Sequence, residues 1–281
     1  GRIPLSNYCK NDCKYCGIRR SNRFASRYRM GEDDVLRYCY HGYQKGIRNF
    51  LIEGGIDLSY SEENIASVIQ AIRKHHKDCG IILSLGEHSS NTYQRWFQAG
   101  AGSYLLRQGS AEEGHFKKLH SPNMSLLKRK QCLWSLKEIG YETGAGFLVG
   151  TPWQMLDQVI TDLEFMKQFG PQIIDIAPFV PAPFTPFEKE RSGNGEMTLY
   201  LMAILRLMLP GAVLTADLSM ENVITEARKK ALNASANILI TDITEEKVRR
   251  CYTVYNRRPG RREEDDAVLS ALIREEGYEV E

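Results

Sequence analysis

A chain of 281 residues with a formal net charge of +2, 42% hydrophobic and 26% charged residues has enough apolar material for a large core. It offers no electrostatic case for a nucleic-acid or acidic-surface partner. No apolar run approaches about eighteen residues and the N-terminus lacks a charged-then-apolar signal pattern, so neither a membrane span nor a secretory leader is expected.

The predicted elements alternate. Strands are expected at residues 3–7, 49–53, 80–85, 103–107, 142–149, 173–177, 212–216 and 237–241, where short apolar runs occur. Amphipathic stretches at 31–45, 61–77, 90–99, 125–139, 154–169, 197–209 and 223–232 read as the helices between them. Ser61 (with Asn64) and Ser125 are candidate N-caps, and Gly46, Gly100, Gly140 and Gly170 are candidate helix ends. Eight strands alternating with helices predict an α/β fold, a complete (β/α)8 TIM-type barrel over 1–260, followed by a C-terminal helix and tail at 261–281. The polar segment 188–196 reads as a surface loop. The basic groups at 249–250 and 257–262 read as exposed faces, and the six histidines, which show no ligand spacing, as solvated.

The first strand leads into Cys9, Cys13 and Cys16. Such barrels carry their active sites at the C-terminal ends of the strands, which is where this loop falls. Three cysteines without a nearby fourth suit a four-iron cluster with one iron open to a non-protein ligand. Zinc would require a fourth ligand from Cys39 or His41, both of which read as helical. The remaining cysteines, Cys39, Cys79, Cys132 and Cys251, are scattered singly, a pattern that suits a reducing, cytoplasmic setting.

C-x3-C-x2-C with Tyr15 before the third cysteine resembles the signature of the radical S-adenosylmethionine (SAM) superfamily. The stretches YCGIRR (15–20), RYRM (27–30), LSLGE (83–87), YLLR (104–107), KEIGYETGAG (137–146) and PFVPAPFTP (178–186) resemble, within it, the [FeFe]-hydrogenase maturase HydE family, in the group that contains biotin synthase and methylornithine synthase. The resemblance implies a radical SAM core with a [4Fe-4S] cluster on Cys9, Cys13 and Cys16 and SAM on the open iron. One-electron cleavage of the sulfonium would give a 5′-deoxyadenosyl radical, the cofactor carrying the difficult step. It further implies cofactor contacts from Tyr15, Gly54, Gly55, Arg107, Arg129, Gly146, Leu148 and Gly150, and a substrate cavity lined by Glu87, Thr215 and Asp217.

Arg129 matches an arginine that pairs with the SAM carboxylate, a task a guanidinium performs in a bidentate fork. Two departures stand out. The acid expected after the paired glycines is Ile56, and the glutamate expected two residues after Arg107 is absent, leaving Ser110 or Glu112 to compensate. Implied partners are a small-molecule or iron-complex substrate, an electron donor such as ferredoxin or flavodoxin, and other hydrogenase maturases. A methylornithine-synthase-like amino-acid mutase and a non-catalytic cluster- or metal-binding barrel are the alternative readings.

Overall fold

The fold is given by a computed structural model that describes residues 1–256 and 266–279. The chain runs β1 (Arg2–Ser6), α1 (Glu32–Gln44), β2 (Asn49–Gly54), α2 (Glu62–His75), β3 (Gly80–Ser84), α3 (Ser90–Ala99) and β4 (Ser103–Leu105). Next come α4 (Glu113–Leu119), α5 (Leu126–Ile139), β5 (Glu142–Ala145), β6 (Leu148–Val149), α6 (Leu156–Phe169), β7 (Ile173–Ile174) and β8 (Ala177–Pro178). The last elements are α7 (Gly195–Met208), β9 (Val213–Ala216), α8 (Ala227–Asn233), β10 (Ile238–Leu239), α9 (Glu246–Cys251) and α10 (Asp266–Glu275).

Eight strands form one curled parallel sheet in the order β1-β2-β3-β4-β5-β7-β9-β10. Its two outer strands approach each other. The Arg2 amide donates to Thr241 O (2.7 Å) and the Ile243 amide to Arg2 O (3.2 Å), making a single parallel bridge between Arg2 and Asp242. The predicted strands at 142–149 and 173–177 each break in two. Gly144 and Ala145 pair with Ile173 and Ile174 in the main sheet, whereas Leu148 and Val149 pair with Ala177 and Pro178 in a separate short ladder. The break falls at Gly146 and Phe147, where the chain bends off the sheet.

Strand alternation sorts the side chains. Ile3, Leu5, Phe50, Ile52, Ile81 and Leu83 are buried in the same core as Val35, Ile65, Ile69, Ile72 and Trp96 of the covering helices. Arg2 and Glu53, at alternate positions, meet each other instead. The Ser61–Asn64 capping box forms, Ser125 caps α5, and Gly100, Gly140 and Gly170 end their helices in the left-handed conformation (φ 117°, 107° and 59°).

Three expectations need correction. The helix predicted from 223 begins at Ala227, because Leu218–Asn222 forms a tight 310 turn capped by Asp217. Helices α4 and α9, only seven and six residues long, are too short to show a helical period in sequence. His76, His115 and His120 are buried rather than solvated. Residues 257–265, including the whole of the 257–262 basic group, lie outside the described residues. Helix α10 is tied back through Lys229–Glu276 (2.8 Å) and the Tyr278 hydroxyl, which donates to Leu232 O (3.2 Å).

Candidate active site

The loop after β1 is built by side chains bonding to backbone. Asn7, wholly buried, donates through Nδ2 to Ser26 O (2.7 Å) and Cys251 O (2.8 Å) and accepts from the Tyr28 amide (2.8 Å), so it clamps the far end of the loop to its start. The Arg27 guanidinium reaches four carbonyls, those of Asn7, Ile18 (2.8 Å), Arg19 (2.6 Å) and Asn22 (3.1 Å). Asp12 pairs with Arg19 (2.7 Å). A segment without regular secondary structure is thereby held in one shape.

That loop carries Cys9, Cys13 and Cys16, all half-buried. Cys9 Sγ accepts from the Asn11 amide (3.4 Å), and Cys13 Sγ lies 3.6 Å from Met124 Sδ. Burial pushes the Cys13 thiol up to about 12, with Cys9 adding to the shift and Arg129 opposing it. Burial pushes Cys16 up further, reinforced by Cys13 and Cys9. The three sulfurs therefore share one electrostatic neighbourhood, and Cys13 and Cys16 stay protonated until a strong cation offsets the cost of ionising them. Among the described residues, no group of three or more His, Cys, Asp or Glu side chains is arranged to hold a single metal ion. An iron–sulfur cluster makes no such demand, because each cysteine binds a different iron. The donor set fits a cluster.

The remaining expected residues arrive from neighbouring strand ends. Gly54 closes β2 and Gly55 follows it. A Cβ on Gly55 would stand 2.1 Å from Tyr8 O and 2.7 Å from Cys9 Cβ, so only glycine lets this turn pass beneath the cysteine loop. Both glycines line a small cleft with Ser6, Asp57, Leu85 and His88. Ile56 is buried, and the acid that follows it, Asp57, is engaged by Arg29 (2.6 Å) and the Ser6 hydroxyl (2.6 Å).

Arg129, in the first turn of α5, is 8% exposed. Its Nε donates to Glu87 Oε1 (2.5 Å) and its Nη1 to Arg107 O (2.5 Å). A helix-surface role is thus ruled out, and Glu87 joins Arg129 rather than standing apart in the cavity. Arg107, past the end of β4, reaches Asp175 (3.4 Å) and Asp217 (3.5 Å). Thr215 donates to Asp175 Oδ1 (2.6 Å). Burial raises the Asp175 pKa, with Asp217 adding to the effect and Arg107 and Thr215 opposing it. Farther down the strands, Arg2 bridges Glu53 (3.4 Å) and Asp242 (2.6 Å).

Gly146 passes so close to the backbone after β7 that a Cβ would lie 1.8 Å from Asp175 O. Leu148 in β6 is half-buried, its amide donating to Gly109 O (3.3 Å). The Gly150 amide donates to Gln154 Oε1 (2.5 Å) in the turn after β6. Neither substitute for the absent glutamate is free. Ser110 Oγ accepts from the Glu112 amide (3.3 Å), and the Glu112 carboxylate caps α4 at the Gly114 and His115 amides (both 2.7 Å).

No family model matches the chain. Among curated proteins, the [FeFe] hydrogenase maturase subunit HydE of Thermotoga maritima is 34% identical over 275 residues, 97% of this chain and 77% of that protein. The chain belongs to the HydE family of radical SAM enzymes. The 3-methylornithine synthase of Methanosarcina acetivorans is 27% identical over 99% of the chain and 78% of its own length. Among solved structures, methylornithine synthase (PylB) superposes with a TM-score of 0.83 at 23% identity, covering 98% of this chain and 80% of that one. The [FeFe]-hydrogenase maturase HydG from Carboxydothermus hydrogenoformans superposes with a TM-score of 0.77 at 22% identity, covering 99% and 66%. These last two establish likeness of fold.

Four residues at the site carry no role that the sequence alone assigns: Asn7, Arg27, His120 and Asp175. Asn7 bonds to the carbonyls of Ser26 and Cys251, which leaves no periodic or motif signal, and Arg27 lies in the RYRM stretch, whose spacing does not show which carbonyls it reaches. His120 is revealed only by the short helix α4. Asp175, in Ile-Ile-Asp-Ile, was visible as a lone acid in an apolar run, a pattern that marks an inward-facing strand residue.

Proposed function

We propose that this chain is a radical SAM enzyme of HydE type acting in assembly of the [FeFe]-hydrogenase active site. The observation that carries it is the fixed loop holding Cys9, Cys13 and Cys16 at the same strand ends as Arg129, Glu87 and the Gly54–Gly55 turn. The fold is read as a complete (β/α)8 barrel over 1–260, its closure supported by the Arg2–Asp242 bridge, with 261–281 as an appended segment.

In this reading the three cysteines hold the [4Fe-4S] cluster. When bound, the cluster and SAM supply the one-electron cleavage of a sulfonium bond. The chain's own residues bind and orient. The Gly54–Gly55 backbone offers carbonyl acceptors to an ammonium-bearing chain, while Arg129 and Glu87 form a cation–anion couple complementary to an amino-acid head group. Tyr15, Gly146, Leu148 and Gly150 wall the adenosine side. Arg107, Asp175, Thr215 and Asp217 present both signs of charge to a substrate at the sheet's mouth. An electron carrier such as ferredoxin or flavodoxin, and the other maturases, are the proposed partners in the cytoplasm.

The test is anaerobic reconstitution with iron and sulfide, reduction, and assay of methionine and 5′-deoxyadenosine, with Cys13→Ala as control. Product formed equally by the variant defeats the cluster assignment. Restoration of hydrogenase activity in an extract lacking its HydE protein then decides the maturation role. The Asp175–Asp217 pair favours a second reading, an amino-acid mutase like methylornithine synthase, which predicts formation of 3-methylornithine instead.

A further inference from the structure

We infer that His120 is a positioning residue for Tyr15 and, through it, for the loop segment that carries Cys13 and Cys16. The consequence for SAM rests on the function proposed above, while the geometry itself does not.

His120 follows α4 and is 2% exposed. Its Nδ1 lies 3.0 Å from Phe116 O and its Nε2 3.2 Å from the Tyr15 hydroxyl. A carbonyl can only accept, so Nδ1 carries the hydrogen. Burial and the nearby Arg129 hold the imidazole pKa down at about 3, so the ring is neutral and Nε2 is a bare acceptor. Tyr15 must therefore donate. The His120 ring is further fixed by stacking on Phe116 (centroids 4.0 Å apart, 24° between planes) and meets Tyr15 edge-on (5.5 Å, 87°).

This contact does not stand alone. The Lys14 amide donates to Leu119 O (2.8 Å), and Met124 meets Cys13 (3.6 Å). Tyr15 also packs on the cluster of Leu119, Phe179 and Phe187. The end of α4 and its exit thus touch three consecutive cysteine-loop residues, and side-chain hydrogen bonds are made at two of them, the weak Cys13–Met124 sulfur contact and the stronger O–H to nitrogen bond between Tyr15 and His120. The segment 108–124, where the sequence lacks the expected glutamate, instead carries the support for the cysteine loop. Removing the acceptor frees the Tyr15 ring to rotate without removing any cysteine.

The first test needs no cofactor. ¹⁵N NMR of histidine-labelled apo-protein should show His120 protonated at Nδ1, with an Nε2 resonance that shifts in Tyr15→Phe. A protonated Nε2, or a resonance indifferent to Tyr15→Phe, overturns the inference. The second test compares His120→Phe, His120→Gln and Tyr15→Phe after reconstitution. Loss of one hydrogen bond predicts a rise of about tenfold in the KM for SAM in His120→Phe and Tyr15→Phe, with iron content held and kcat within about threefold. His120→Gln, whose side-chain carbonyl can accept from Tyr15, should recover most of that rise. The double variant His120→Phe/Tyr15→Phe should be no worse than either single. Additive losses, or equal losses in the Phe and Gln variants, would refute it. Should His120→Phe fail to fold, Tyr15→Phe and His120→Gln still decide the matter. If the wild type cleaves no SAM, the proposed function fails while the NMR result on this pair stands.

Discussion

Arg129 Nε lies 2.5 Å from Glu87 Oε1, and both side chains are at most about one-tenth exposed. The pair joins α5 to the segment after β3, and the second Arg129 bond, to Arg107 O, adds the end of β4. One guanidinium therefore fixes the relative position of three elements at the mouth of the sheet.

Breaking this pair from one side should be costly. Arg129→Met leaves a buried carboxylate without its cation and is expected to lose about 3–5 kcal/mol of unfolding free energy, whereas Glu87→Gln, which keeps an acceptor for Arg129, should lose less. Urea denaturation of the apo-protein checks the ranking. Equal losses would mean that the pair is not desolvated as described. Arg129→Lys should keep more stability than Arg129→Met yet weaken SAM binding, since an ammonium cannot reproduce the fork.

Arg107 faces two carboxylates through contacts of 3.4 and 3.5 Å. Removing the cation should therefore hurt chiefly through repulsion between Asp175 and Asp217. Arg107→Met is expected to destabilise the apo-protein by more than Asp217→Asn does, and Asp217→Asn introduced into Arg107→Met should recover part of the loss. A double-mutant cycle by chemical denaturation reads the coupling. Strict additivity would show that Arg107 acts independently of the acids.

Much of the fold was legible because its signals are periodic. The strands at 49–53 and 80–85 and the helix 90–99 emerge nearly where the apolar pattern puts them, and the Ser61–Asn64 cap forms as its spacing suggests. The failures have physical causes. Helix α4 has seven residues, two turns at most, so its buried face is only His115, Phe116 and Leu119 and no period can be measured. At the site, Cys9, Cys13 and Cys16 announce themselves by spacing. Arg107 could be picked out, but its partners could not, because Asp175 and Asp217 come from strands 68 and 110 residues away (175 − 107 and 217 − 107). Pairing at that range is set by sheet order, which composition does not encode.

Gly55 offers a steric prediction. Its missing Cβ is occupied space, 2.1 Å from Tyr8 O. Gly55→Ala must push the Tyr8–Cys9 segment away, a rearrangement costing about 1–3 kcal/mol, and should lower iron uptake on reconstitution by displacing Cys9. Gly31→Ala, where a Cβ meets nothing within 4 Å, is the matched control. Equal iron content in the two variants would show that the loop yields at no cost.

The last prediction concerns pH. Asp162, buried on α6, accepts from the Ala111 amide at Oδ1 (2.5 Å), and Oδ2 has no hydrogen-bond partner. Burial raises its carboxyl to about 8 from 3.8, outweighing the Ala111 bond and the pull of Lys130. Because the folded-state value is the higher one, the folded protein retains a proton that the unfolded chain has lost. The stabilising contribution of Asp162 is thus greatest below about pH 4, falls as pH rises toward about 8, and levels off above that. Asn at this position keeps the acceptor for Ala111 and never ionises, so Asp162→Asn should remove this contribution to the slope. Urea midpoints of the two proteins across about pH 5 to 8 give the answer: wild type should lose stability faster than Asp162→Asn, the gap widening by at most about 1.4 kcal/mol per pH unit. Glu53 and Asp175, also raised by burial, bend both curves alike and cancel in the difference. Parallel curves would show that Asp162 is already ionised in the folded protein at neutral pH, with a counter-charge on Oδ2.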